Sequence, residues 1–246
     1  MQRLPLALPP NQQGPLLFAR GIVPFARIFF FFESEWDLLI RHAASPSDGV
    51  QKWLADLRPH GLARATRLEN DLKHLRAVAG PNIYRTPDLG DYWLRDMRTR
   101  LRSQPHVLMA YAWVFYMATF AGGRWIRQQL ANGGAEFWTQ RPLTDVDVVE
   151  EGPAPEFHGF SFLSFDGDQD GEDIKALFKT RLAEAETLLT GEQKQDIVDV
   201  AQQLFERCNK LVGELDVMVT RDRVPTWLLP TCFVLFLMLL FVCGVG

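Results

Sequence analysis

The chain has 246 residues, enough for one domain with a full core plus an appendage. Charged residues make up 23% and the formal net charge is −4, a poor balance for wrapping nucleic acid. The three cysteines, Cys208, Cys232 and Cys243, form no CxxC pair, which argues against both a metal–thiolate cluster and a disulfide framework.

Residues 1–15, MQRLPLALPPNQQGP, are too rich in proline for a signal peptide and read as an extended lead-in. FARIFFFFESEWDLLI (25–40) begins apolar and turns amphipathic, and SPSDG (45–49) is a loop. Residues 60–79 carry Leu62, Ala65, Leu68, Leu72, Leu75 and Ala79 at helical spacing, and Gly80-Pro81 ends that helix. Thr86-Pro87 offers the next helix an N-cap and a first-turn proline. That helix places Leu89, Tyr92, Trp93, Met97 and Leu101 on one side, with Arg95, Arg98, Arg100 and Arg102 on a solvated face. Residues 106–131 form a long apolar helix, which Asn132-Gly133-Gly134 ends in the left-handed manner. Residues 135–160, with Pro142, Pro153 and Pro155, are a long loop.

A helix over 171–189 turns Ile174, Leu177, Phe178 and Leu182 inward, and Thr190 with Gln193 makes a capping box for the last soluble helix. That helix carries Ile197, Val200, Ala201, Leu204, Cys208, Leu211, Leu215 and Met218 inward. Strand-like alternation is nearly absent, so the fold class is all-α: a multi-helical domain over 1–219 and a linker over 220–226. Residues 227–246, WLLPTCFVLFLMLLFVCGVG, hold no charge. At about 1.5 Å per residue they span a hydrocarbon core of roughly 30 Å. Arg221, Arg223 and Trp227 suit its interface. This segment reads as a C-terminal transmembrane tail anchor that leaves residues 1–223 in the cytosol.

DGDQDGEDIKAL (166–177) imitates a calcium loop through Asp166, Asp168, Asp170 and Gly171, but Leu177 stands where the bidentate Glu belongs. Acids at a helix N-terminus, favoured by its dipole, account for the pattern. The histidines (His42, His60, His74, His106 and His158) fall in no metal-ligand spacing, and no GxSxG nucleophile motif is present. The long helix contains YMATFAGGRWIRQQL (116–130), whose adjacent glycines each cost about 1 kcal/mol against alanine in a helix interior. Every fourth residue gives Ala110, Val114, Ala118 and Gly122, a stripe of small side chains flanked by Trp113, Phe115, Tyr116, Met117, Phe120 and Trp125. Two objects fit such a stripe: another helix, or a flat apolar ligand lying across the backbone.

The order of features is similar to that of the haem oxygenase family. LENDL (68–72) is followed by Gly80-Pro81, Thr86-Pro87, a Tyr92 helix, PHVLMAYAWVFYMATFAGG (105–123), FSFLSF (160–165), KALFKTR (175–181), DVAQQLFERCNKLVGEL (199–215) and a tail anchor. The resemblance covers roughly residues 25–218 and the anchor, and extends to divergent fungal haem oxygenase-like proteins through the RLPLALPP lead-in (3–10). It implies haem as both substrate and cofactor. The reaction implied is oxidative opening to biliverdin with release of iron and CO, driven by dioxygen and an NADPH-dependent reductase. The implied location is the cytosolic face of the endoplasmic reticulum membrane.

By resemblance, Gly122 and Gly123 match the glycines that let a distal helix cover haem, where a Cβ would occupy the oxygen site. Lys175, Lys179 and Arg181 fall near the haem propionates, and Phe205 at the haem edge. The family's GDLSGG is ATFAGG here, so Ala118 replaces the first glycine and Thr119 the aspartate that organises distal water. The family's proximal histidine lies on a helix upstream of the region matching Phe25. No histidine precedes His42 in this sequence, so the resemblance leaves two expectations: the start is misassigned and the ligand helix lies upstream, or the protein lacks the ligand; no metal ligand is assigned. The alternative is a non-catalytic, membrane-tethered helical module that binds haem, another apolar ligand or a partner helix.

Overall fold

Buried apolar residues at helical spacing start the first helix well before Phe25. In the computed structural model, which describes residues 7–42, 49–139 and 159–223, helix α1 runs Leu16–His42 with Phe18, Ala19, Val23 and Ala26 buried in its first half. A proline inside a helix costs about 3 kcal/mol. The burial of those side chains offsets the cost of Pro24, so the helix begins at Leu16, ahead of the expected start at Phe25.

Helix α2, Gly49–Leu57, was not apparent in the sequence and buries Trp53, Leu54 and Leu57. Helix α3, Ala65–Ala79, starts later than residue 60 because Gly61 sits at φ +82° just before it. Gly80 at φ +78° ends α3 as expected, and Pro81–Tyr84 follow as a 3₁₀ turn. Thr86-Pro87 does not open the next helix. Gly90 at φ +81° precedes helix α4, Asp91–Ser103, and the buried Thr86 hydroxyl caps nothing. On α4, Arg98 and Arg102 converge on Glu35 of α1 at 3.0 and 3.1 Å, so the arginine face is partly docked.

A 3₁₀ turn at Pro105–Val107 leads into helix α5, Leu108–Ala131. Asn132 stays right-handed at φ −74°, and the left-handed residue is Gly134 at φ +67°, which begins helix α6, Gly134–Thr139. The expected helix over 171–189 is two helices: α7, Glu172–Ala183, and α8, Ala185–Leu188. The capping box is formed. Gln193 N donates to Thr190 Oγ1 at 3.2 Å and Thr190 N to Gln193 Oε1 at 3.0 Å, opening helix α9, Gly191–Arg223. Helix α9 continues through the first part of the expected linker at 220–226.

No strand occurs among the described residues. None of their helices is long and apolar enough to cross a membrane. The expected long loop over 135–160 is helix α6 at its start, and its residues 140–158, with His158, lie outside the described residues, as do the expected anchor at 227–246 and most of the 45–49 loop.

The FFFF run of α1 meets α5 in an aromatic core. Phe32 stacks on Phe115 at 5.8 Å and Phe29 meets it edge-on at 5.5 Å, while Phe31 turns outward under the Arg98 guanidinium at 5.4 Å. Among these rings Glu33 is 2% exposed. Its Oε1 accepts from Arg64 N at 2.8 Å and from the Tyr116 hydroxyl at 2.7 Å, and Oε2 accepts from Ala65 N at 2.9 Å. Helix α3 has no side-chain cap of its own, so α1 supplies one. Burial, and then the Glu33 charge, hold the Tyr116 hydroxyl well above its ordinary titration range.

Glu33→Ala strands three donors and should cost about 3 kcal/mol or more of unfolding free energy, whereas Tyr116→Phe should cost about 1–3 kcal/mol. Urea denaturation of both variants decides this, and a larger loss for Tyr116→Phe would refute the hierarchy.

Candidate functional site

The rotation of α5 separates the expected site residues onto two faces. Phe115, Tyr116, Thr119, Phe120 and Gly123 point into the protein, while Trp113, Ala118, Ala121 and Trp125 are exposed and Met117 is half-buried. Trp113 and Trp125 leave 40% and 45% of their surface exposed, large fractions for the most apolar of rings. The stripe of small residues is covered in its first half, at Ala110 and Val114, and open in its second half, at Ala118 and Gly122.

The two glycines have different neighbours. A Cβ at Gly122 would meet nothing nearer than Ile126 Cδ1 at 4.0 Å. A Cβ at Gly123 would stand 3.4 Å from Leu163 Cδ2 and 3.7 Å from the Leu163 carbonyl. Gly122 therefore edges the open face, and Gly123 lets another segment lie against the helix. Of the two glycines expected at a ligand site, only Gly122 has open space at its Cβ position. Thr119 is buried, and its hydroxyl donates to the Phe115 carbonyl of its own helix at 2.9 Å, which commits its one proton.

The segment against Gly123 is a strap, 159–165, containing the 3₁₀ turn Ser161–Leu163. Asp71 of α3, 2% exposed, holds it. Its Oδ1 accepts from Gly159 N at 3.2 Å and Ser161 N at 2.9 Å, and Oδ2 accepts from Phe162 N at 2.8 Å. Burial pushes the Asp71 carboxyl up, and these N–H bonds oppose the shift. Arg64 completes the hold. Its guanidinium donates to the Ser164 carbonyl at 2.7 Å and to the Gly61 carbonyl, and lies 4.2 Å over the Phe165 ring. Burial, with Arg67 nearby, lowers Arg64 to about 10. Phe165 in turn stacks on Phe120 of α5 at 4.6 Å.

Two acids of the run beyond the strap pair with arginines. Asp166 pairs with Arg67 at 2.5 Å, and Asp170 pairs with Arg124 at 3.2 Å and with Arg127. The bonds from Arg67 and Arg127 hold the Asp166 and Asp170 carboxyls below their ordinary range. No cluster of potential metal ligands occurs among the described residues.

Glu172 bridges Arg124 of α5 at 2.8 Å and Lys175 of α7 at 3.2 Å, which brings Lys175 to the glycine end of α5. Lys179 lies one turn further along α7 and is exposed. Arg181 faces elsewhere. Its Nη1 donates to the Asp56 carbonyl of α2 at 2.6 Å, and its own carbonyl accepts from Trp53 Nε1 at 2.8 Å, so the third of the expected basic residues fastens α7 to α2. Phe205 on α9 is 57% exposed, which rules out plain core packing. Burial pushes the Cys208 thiol up to about 11, which disfavours its thiolate.

Glu33, Arg64, Asp71 and Leu163 went without roles in the sequence reading. A signal existed for two of them. Glu33 is a lone acid after an apolar run, and Asp71 is the acid of LENDL. Their partners are backbone N–H groups, which sequence patterning does not display.

A family model described as "Heme oxygenase" matches residues 47–214. The heme-binding protein HMX1 of Saccharomyces cerevisiae is 26% identical over 222 residues, covering 84% of this chain and 67% of that protein. Heme oxygenase from Leptospira interrogans superposes with a TM-score of 0.55 at 22% identity, over 79% of this chain and 80% of its own. Heme oxygenase-2 from Synechocystis sp. PCC 6803, solved with heme and NO, gives a TM-score of 0.55 at 18% identity, over 89% of this chain and 82% of its own.

In the ligand-free protein, Gly122→Ala should raise stability by about 1 kcal/mol, since helix propensity improves and the methyl group meets open space. Gly123→Ala should gain less, because its methyl group presses on Leu163. Thermal unfolding of the two variants checks this, and equal gains would show that the strap does not constrain α5.

Proposed function

The chain belongs to the haem oxygenase family, and from that premise we propose that the open face of α5 is one wall of a haem site. The observation that carries the proposal is the bare backbone at Gly122, one turn from the exposed Ala118 and beside the exposed Trp125. The names of the yeast and Synechocystis proteins, one heme-binding and one solved with heme, support it. No observation favours a partner helix on this face.

The described residues fit the flat and anionic parts of haem. Ala118 and Gly122 let a ring lie close to the helix, and Trp125, one turn along, shields its surface from water. Lys175 and Lys179 suit the propionates through charge-assisted hydrogen bonds, Lys175 by exchanging Glu172 for the new anion. Among the described histidines, His42 and His60 are exposed, His74 lies against Gly159 of the strap, and His106 is buried with its Nε2 3.0 Å from Asp196 Oδ2.

Haem, when bound, supplies the iron and the ring that dioxygen oxidises. The family's reaction opens that ring to biliverdin with release of iron and CO, using electrons from an NADPH-dependent reductase. Thr119 stands where the family has its distal aspartate. It carries no charge, and its proton is held by the Phe115 carbonyl rather than offered to the face. Residues 227–246 hold the domain on a membrane, facing the cytosol at the endoplasmic reticulum, as their uncharged run supports.

Hemin added to the purified chain should give a shifted Soret band, and NADPH with a reductase should then yield biliverdin slowly. Thr119→Asp should raise that rate about tenfold, the equivalent of about 1.4 kcal/mol. The absence of a Soret band refutes the haem site, and an unchanged rate in Thr119→Asp refutes the role of Thr119. In membrane fractions, the full chain should stay in the carbonate-washed pellet and residues 1–223 should leave it. Retention of both would place the membrane contact outside the tail.

A further inference from the structure

The open face has a position only because something presses on the opposite side of the same helix turn. That object is the strap, and its attachment runs to α3 rather than to α5. Three N–H groups within four residues converge on one carboxylate, Asp71, at 2.8 to 3.2 Å. They hold Leu163 against the backbone of Gly123, one residue from Gly122. Two further contacts act in the same direction, Arg64 on the strap carbonyls and Phe165 on Phe120. The carboxylate is buried and lies on the far side of the strap from the open face, so it does not touch a ligand there.

We propose that Asp71 is a positioning residue for the haem site: through the 159–165 strap it sets how far α5 stands from a bound ring. The inference rests on the reading of α5 as a haem wall. An isosteric amide would still accept, but it would turn its NH₂ toward at least one strap N–H. The strap would then lift, and α5 would be free to move into the space that Leu163 now occupies.

The test compares the full chain with Asp71→Asn, titrated with hemin in the presence of imidazole as an exogenous ligand. Met97→Ala serves as a control. It removes a buried side chain from α4, remote from the strap, and its temperature is adjusted so that both variants sit equally far below their melting points. Asp71→Asn should bind hemin at least tenfold more weakly and shift the Soret maximum of the imidazole complex, while Met97→Ala should change neither. Gly123→Ala, which displaces the strap from the other side, should shift the Soret maximum in the same way, and the double variant should be no worse than the worse single one.

An Asp71→Asn chain that binds like the wild type with an unshifted band overturns the proposal, as does an equal loss in Met97→Ala. If Asp71→Asn does not fold, the Gly123→Ala spectrum decides alone, and an unshifted band there overturns the proposal. A wild-type chain with no Soret band overturns the haem reading and this inference together, whereas a normal wild-type band with unchanged variants overturns this inference alone.

Discussion

The Glu33 carboxylate is buried where α1, α3 and α5 meet, and each helix contributes something that the others lack. Helix α3 begins without a cap, α5 carries a phenol into an aromatic core, and α1 brings the one acceptor that satisfies both. Carrying a carboxylate into such a place is costly unless its lone pairs are bonded, and three short bonds meet that condition. The consequence is geometric. Tyr116 fixes the rotation of α5, so Ala118 and Trp125 emerge on one side and Gly123 on the other. Every property of the open face follows from that rotation.

The two glycines illustrate how one dipeptide serves two surfaces. Successive residues on a helix point about 100° apart, so neighbours in sequence need not share a neighbour in space. Gly122 leaves room for a ligand, and Gly123 leaves room for Leu163. On α7 a similar division holds. Lys175 reaches the α5 end through the Glu172 bridge, while Arg181 is fastened to α2. Residues grouped by a family motif are thus separated by the architecture into those that face the site and those that hold its frame.

The helical class, the positions of α3, α5 and α9, and the capping box at Thr190 were legible because they are written in periodicity and in local hydrogen bonding. The start of α1 was not, because Gly21 and Pro24 argue locally against a helix that burial imposes from a distance. Thr86-Pro87 has the form of a helix start, yet Gly90 at positive φ sets the real one, a conformation that residue type permits but does not announce. Of the site, the stripe Ala118–Gly122 and its tryptophans were legible. The strap was visible as the string FSFLSF but not as a wall, since its placement depends on Asp71 and Arg64, far away in sequence. The commitment of the Thr119 hydroxyl to its own helix required coordinates.

The bonds that hold the strap join residues far apart along the chain: Asp71 to Phe162 across 91 positions, and Arg64 to Ser164 across 100. Closing those bonds costs the entropy of so long a loop, which is not recovered until they form. The wall behind Gly123 is therefore expected to be completed late in folding, after the α1–α5 aromatic core has formed. Equally, it should be among the first parts to open, so the protein can lose the shape of its ligand face while most of its helices remain intact.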